Sequence, residues 1–344
     1  MQVTLSKRRF SRWLALALLF CLAGAALADT LQRVRKHGAV RCAGDTTAGF
    51  NNLGSDGRPR GFDVDFCRAV AAAVLGRADA IEIQRINSAN KYKALARGDV
   101  DIAFGMSTWT YQRDVAMGTR FVTPTLFDGQ GFMVWSDSKI QRLKDAKGAK
   151  VCVQSGTTGI ANLKEISLIQ NLDLKFIESS SAEQRIERFA RRDCEMLTGD
   201  RSELAAQRAT KAIDVTRWRL LEETISREPL GPYVAHGDER WFAIVRWAML
   251  VPQIAEYRAL DTKLLDTLVG KDADSELLRL AGKERGFGAP LGLDDGWAWR
   301  ILTQVGDYRQ IFDRNLGIDS TIRMERGPNR PAHQGGLFMP PSLR

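Results

Sequence analysis

One internal duplication limits the folds open to this chain more than any other feature of its sequence. Ala94-Leu95-Ala96-Arg97-Gly98-Asp99-Val100-Asp101-Ile102-Ala103 and Arg188-Phe189-Ala190-Arg191-Arg192-Asp193-Cys194-Glu195-Met196-Leu197 each read as a helix end, a tight polar turn and an apolar strand. What precedes each copy is also alike. Ahead of the first come a buried strand at Val40 to Ala43, a helix over Asp65 to Leu75 with Phe66, Ala69, Val70 and Ala73 on one face, and an alternating strand at Ile81 to Ile86. Ahead of the second come a strand at Lys150 to Gln154, a helix from Thr158 and a strand at Lys175 to Ile177. Alternating β and α elements imply an α/β lobe. The shared order of elements, more than the low identity between the copies, implies two similar Rossmann-like lobes.

The N-terminus carries an address. Lys7, Arg8, Arg9 and Arg12 precede an apolar run from Trp13 to Ala26, which leads into Ala26-Leu27-Ala28. That is the pattern of a secretory signal peptide cleaved after Ala28. The run falls short of the roughly 20 residues of a membrane helix, and no later run reaches that length. Cys21 follows Phe20 where a lipid anchor wants a small residue, and it leaves with the signal. Lys7-Arg8-Arg9-Phe10 suits a twin-arginine signal too, but any Sec signal has a basic start, and Sec export is preferred. A periplasmic location follows. Removing residues 1–28 takes four basic and no acidic residues, so the net charge falls from +9 to +5. The remaining charges are mixed in sign with no aromatic-interleaved basic stripe, so nucleic acid is not an expected partner.

Four cysteines remain in a chain bound for an oxidising compartment: Cys42, Cys67, Cys152 and Cys194. Disulfides are expected, with three connectivities open. Because two cysteines fall in each candidate lobe, the pairs Cys42-Cys67 and Cys152-Cys194 are favoured. His37, His236 and His333 are far apart and no C-x-x-C occurs, so neither a metal site nor a cofactor is expected.

A mature length near 316 residues suggests two domains. Glycine- and proline-bearing apolar segments at Phe127 to Val134 and Glu228 to Val234 are the candidate crossings between them, making a two-stranded hinge. The expected division is a first lobe over 29–131, a second over 132–231, a return to the first over 232–285 through the periodic helix at Trp241 to Leu250, and a surface extension over 286–344 packing on the first lobe.

Five segments, in order, carry a family resemblance: Gly61 to Cys67, Ser107 to Asp114, Phe127 to Val134, Val151 to Thr158 and Glu228 to Trp241. Together they resemble the periplasmic binding components of polar and general L-amino-acid ABC importers, family 3 of the bacterial extracellular solute-binding proteins, with the type II periplasmic binding fold. The resemblance runs from Val40 to the C-terminus. It implies a ligand held in the cleft between the lobes, an L-amino acid as that ligand, permease subunits of the inner membrane as partner, and a monomer.

A zwitterion taken out of water needs both its charges paired. Arg113 offers the planar fork that a carboxylate takes bidentately, the alternative being a surface pair with Asp114. Thr108 can add hydroxyl and backbone donors, or cap the helix that follows. From the other lobe, Thr157 and Thr158 open a helix whose free N–H groups favour an anion, although either could be a plain cap. Asp200 matches the family's acid for the α-ammonium. Thr47 and Phe50 fall where the family places a lid, and Phe50 could equally be core. Two departures stand beside the cleft: Phe104-Gly105-Met106 replaces a polar segment with Arg and Asn, and Thr198-Gly199 lacks a second hydroxyl. With Met106 on the wall, they imply a more apolar pocket.

The rival reading is a periplasmic dehydratase on the same fold, acting on a prephenate- or arogenate-like substrate. It needs a positioned acid or base. The motifs contain no histidine and no nucleophile elbow, and Gly129-Gln130-Gly131 is only a fragment of a dinucleotide fingerprint. A sensory module is a third reading, but the sequence shows no signalling domain. A non-enzymatic receptor fits better.

Overall fold

A computed structural model of the chain describes residues 29–263, 267 and 273–344. The signal sequence and its expected cleavage after Ala28 lie outside the described residues.

The first sheet has the strand order β4-β1-β5-β14-β6. Its strands are β1 (Val40–Gly44), β4 (Ile81–Arg85), β5 (Ile102–Ala103), β6 (Thr119–Phe121) and β14 (Tyr233–Ala235). The second sheet runs β10-β9-β11-β8-β12. It is built from β8 (Gln130–Trp135), β9 (Lys150–Gln154), β10 (Lys175–Ser179), β11 (Met196–Asp200) and β12 (Trp218–Leu220). The two are copies of one plan: three parallel strands, then an antiparallel strand, then another antiparallel to that. The duplicated segments supply the third parallel strand of each, β5 after α3 (Lys91–Arg97) and β11 after α5 (Ala182–Ala190). A short β2 (Asn52–Leu53) and β3 (Pro59–Arg60) form a separate hairpin in the first lobe.

The helices start where local chemistry satisfies their free N–H groups. Ser181 caps α5 by accepting from Gln184 N, and Asp238 caps α7 (Glu239–Tyr257) by accepting from Trp241 N. In α2 (Phe62–Leu75), Asp63 and Asp65 place negative charge at the positive end of the helix. Cys42 of β1 is joined to Cys67 of α2 at an S–S distance of 2.00 Å, and Cys152 of β9 to Cys194 at 1.99 Å, one bridge in each lobe.

The lobes are linked at an antiparallel pair, β7 (Leu126–Asp128) against β13 (Glu228–Leu230), with Asp128 opposite Glu228. By Gln130 the chain has entered the second sheet, and by Tyr233 it is back in the first. The expectation of a surface extension after residue 286 needs correction. Residues α9 (Trp297–Gln304) and α10 (Tyr308–Asn315) place Trp297, Ile301, Tyr308, Ile311 and Phe312 in the core of the first lobe, each 1% exposed or less. Their i, i+3, i+4 spacing is the amphipathic signal that the glycine, proline and arginine clusters around them obscured.

Candidate functional site

Both sheets turn the carboxyl ends of their parallel strands toward one cleft, the usual place for a ligand in an open α/β sheet. Asp45 and Thr47 follow β1, while Met106 and Thr108 follow β5. Gln154 ends β9, Thr157 and Thr158 follow it, and Asp200 ends β11; all of these line the cleft. The cavity between the lobes is about 50 Å³. The lobes touch across it. Gln154 Nε2 donates to Asp45 Oδ2 at 2.9 Å, and the hydroxyls of Thr108 and Thr158 meet at 3.3 Å. A larger hollow beside the hinge is lined by Phe127, Arg201, Arg227, Glu228, Arg326 and Pro328, and holds neither Arg113 nor Asp200.

Arg113 is buried on a π-turn over Gln112–Ala116, with its guanidinium carbon 5.0 Å from the centre of the Tyr92 ring. Nη1 donates to Thr108 O at 3.2 Å, and no acid lies within ion-pair distance among the described residues. Asp114, its alternative partner, is occupied elsewhere: it accepts from Phe121 N at 2.7 Å and from Trp109 Nε1 at 3.0 Å. A buried guanidinium without an anion is costly, so this geometry is suited to receive one. Across the cleft, α4 (Thr158–Ile169) begins with no side-chain cap, because the Thr157 hydroxyl donates back to Gln154 O. Its first N–H groups therefore remain available to an anion.

Asp200 supplies the opposite sign. Burial raises its carboxyl well above the ordinary range, Asp128, Glu228 and Glu203 raise it further, and Arg185 pulls the other way. A cation placed there would relieve that repulsion.

The sequence reading missed the two cations that shape the rest of the cleft. Lys91 is 1% exposed, and its ammonium donates to the carbonyls of Phe104 and Gly105 at 2.9 and 2.6 Å. Burial and then Arg113 push its pKa down to about 7, against the pull of Asp63, Asp45 and Asp200. Behind this loop, Asp63 accepts from Gly105 N and Met106 N, and burial pushes it up to about 6. The second cation is Arg185, paired with Glu203 Oε2 at 2.5 Å. The expected apolar wall is thus corrected. Where the sequence lacks polar side chains at Phe104-Gly105-Met106 and Gly199, buried charges from α3, α5 and α6 (Arg201–Lys211) fill the space.

Of the expected site residues, Arg113, Thr108, Thr157, Thr158, Asp200, Thr47 and Met106 line the cleft. Phe50 does not. Its ring is 1% exposed and packs edge-on against Phe62 at 6.0 Å, within the core of the first lobe. The lid role is therefore withdrawn, since an aromatic ring gains more from packing among other rings than from a charged cleft.

The family described as bacterial extracellular solute-binding proteins, family 3, matches residues 40–275. The chain belongs to that family. This solute-binding protein is 35% identical over 332 residues to the putative amino-acid ABC transporter-binding protein YhdW of Escherichia coli K12, spanning 96% of this chain and 97% of the relative. It is 36% identical over 333 residues to the glutamate/glutamine/aspartate/asparagine-binding protein BztA of Rhodobacter capsulatus, spanning 96% and 98%. A solved ABC-transporter periplasmic binding protein from Brucella ovis with glutathione bound superposes with a TM-score of 0.88 at 32% identity, over 92% of this chain and all of that one. These relatives are transport solute-binding proteins of the periplasm, not enzymes. The dehydratase alternative is set aside on that ground.

Proposed function

We propose that the protein is the periplasmic receptor of an amino-acid ABC importer, holding an L-amino acid by its head group between the lobes and presenting the closed form to the permease. The observation that carries this reading is Arg113, a buried guanidinium with no acidic partner among the described residues, facing a cleft that also holds Asp200. Arg113, the Thr108 hydroxyl and the uncapped start of α4 at Thr157 and Thr158 take the α-carboxylate, while Asp200 takes the α-ammonium. Thr47 and Met106 border the same space.

Because the carboxylate ligands come from both lobes, binding energy is complete only when the lobes are closed. A ligand shifts the hinge by as much as it prefers the closed state. The protein acts as a monomer, reaching the periplasm by Sec export and cleavage after Ala28.

Thermal unfolding of the oxidised, ligand-stripped mature protein against the twenty L-amino acids and a set of organic acids tests the proposal. A ligand at 100 times its dissociation constant adds about 2.7 kcal/mol of stability. If no amino acid raises the midpoint while an organic acid does, the amino-acid reading is wrong.

A further inference from the structure

Both polar ends of the Gln130 side chain are bonded to α4. Nε2 donates to Gly159 O, in the first turn of the helix, at 3.0 Å, and Oε1 accepts from Asn162 Nδ2, further along it, at 3.0 Å. The same Asn162 Nδ2 donates to Glu228 Oε1 at 3.1 Å. Gln130 begins β8, just after β7 ends at Asp128, and Glu228 begins β13. One half-buried amide of α4 is therefore bonded to each of the two chain crossings between the lobes.

Gln130 and Glu228 are 1% and 2% exposed, so water is not at hand to replace a lost partner. Gln130 Nε2 also donates to Thr198 Oγ1 at 2.9 Å, and Glu228 Oε1 also accepts from Ser226 Oγ at 2.7 Å. Glu228 Oε2 has no partner among the described residues. The carboxyl of Glu228 is thus held by one oxygen, and of its two donors only Asn162 comes from outside the crossing. A ligand group met from two sides is bound well when its donors stand within about 0.5 Å of their place, and it is the bonds behind those donors that keep them there. On the receptor reading above, on which this inference rests, the start of α4 at Thr157 and Thr158 takes the α-carboxylate together with Arg113 of the first lobe. Asn162 stands behind that start, and the lining of the cleft ends at Gly159 on this helix. We propose that Asn162 is a positioning residue that carries ligand binding at α4 into the hinge: by bonding to Gln130 and Glu228 it ties the helix that takes the carboxylate to both crossings, so that helix and crossings move as one when the lobes close.

Two variants of the mature protein test this. Asn162→Leu keeps the bulk and removes the donor, and Glu228→Met removes the acceptor. Each is followed by thermal unfolding and by small-angle scattering, with and without an equimolar mixture of the twenty L-amino acids. The wild type should gain stability and become more compact with the mixture. In Asn162→Leu the concentration needed for a given rise in midpoint should increase about tenfold, and most of the compaction at saturation should be lost. Glu228→Met should behave in the same way, and the double variant no worse than either one, because both substitutions break a single link. Glu228→Gln, which keeps the oxygen that Asn162 meets, should compact like the wild type. Full compaction in Asn162→Leu, even with a lowered midpoint in the absence of ligand, or losses that add in the double variant, would make Asn162 a packing residue only and overturn the proposal. Should Asn162→Leu fail to fold because Glu228 is left short of a donor, Glu228→Met takes that group away and decides alone. A wild type that neither gains stability nor compacts rejects the receptor reading itself, a result distinct from a wild type and a variant that compact alike.

Discussion

The side-chain amide of Asn329 completes both backbone hydrogen bonds of Phe127: Phe127 N donates to Oδ1 at 2.7 Å, and Nδ2 donates to the Phe127 carbonyl at 3.0 Å. One side chain from the C-terminal segment thus does for β7 what a neighbouring strand would do, with β13 on the other edge. Arg326 holds the clamp in place by donating to Asn329 O at 2.9 Å and pairing with Glu256 of α7 at 2.9 Å. The first-lobe end of this crossing is therefore held by side chains of the C-terminal segment and α7. Asn329→Ala leaves two half-buried backbone groups without partners, so it should cost about 1–3 kcal/mol. Urea unfolding reads this as a lower midpoint, and an unchanged midpoint would show that the amide is no clamp.

Removing Arg113 should be felt in binding more than in folding, because among the described residues only one nitrogen of its guanidinium bonds to the protein. Arg113→Ala is expected to weaken amino-acid binding by about 2–5 kcal/mol, the loss typical of truncating one partner of a buried charged pair. Arg113→Lys keeps the charge but not the fork, and should fall between. Calorimetry would separate the three, and equal affinities would remove Arg113 from the site.

Ligand binding should also release protons. Burial and three neighbouring acids raise Asp200 in the free protein, so it carries a proton at pH values where an ordinary aspartate has none. Pairing with an ammonium requires the carboxylate. The bound state then holds fewer protons than the free state, and affinity rises with pH through the raised value. Titrations in two buffers of different ionisation enthalpy measure the release directly; heats that agree in both buffers would mean that Asp200 does not change state.

The two bridges close loops of 25 and 42 residues within separate lobes. By the chain-entropy estimate each contributes about 3–4 kcal/mol. Reduction should lower the unfolding midpoint yet leave ligand-driven closure intact, because neither bridge crosses the hinge. Small-angle scattering of the reduced protein, with and without ligand, would show a lost compaction if that separation were wrong.

The parallel strands, the duplicated plan and the two crossings were legible because their signals are local: apolar runs, period-2 alternation, and glycine or proline at the passages. Arg113 was legible as a cleft residue because it sits in a contiguous motif, and Asp200 because it follows the apolar strand of the second duplicated segment. Lys91 and Arg185 were not. Lys91 stands two positions from the exposed Lys93, and Arg185 stands in a helix with exposed Glu183 and Glu187, so both read as parts of solvated faces. Phe50 carried two readings in the sequence, and only the ring of Phe62 beside it chose between them.

The sequence by itself determined the order of elements and the family, since each is written in runs of adjacent residues. Tertiary structure alone decided which charges are buried in the cleft, which residue of the C-terminal segment holds the hinge, and which aromatic rings belong to the core. Burial depends on what arrives from elsewhere in the chain. Here the loop after β5 covers Lys91, and β11 with Glu203 covers Arg185, each brought by a segment that is not adjacent in the chain.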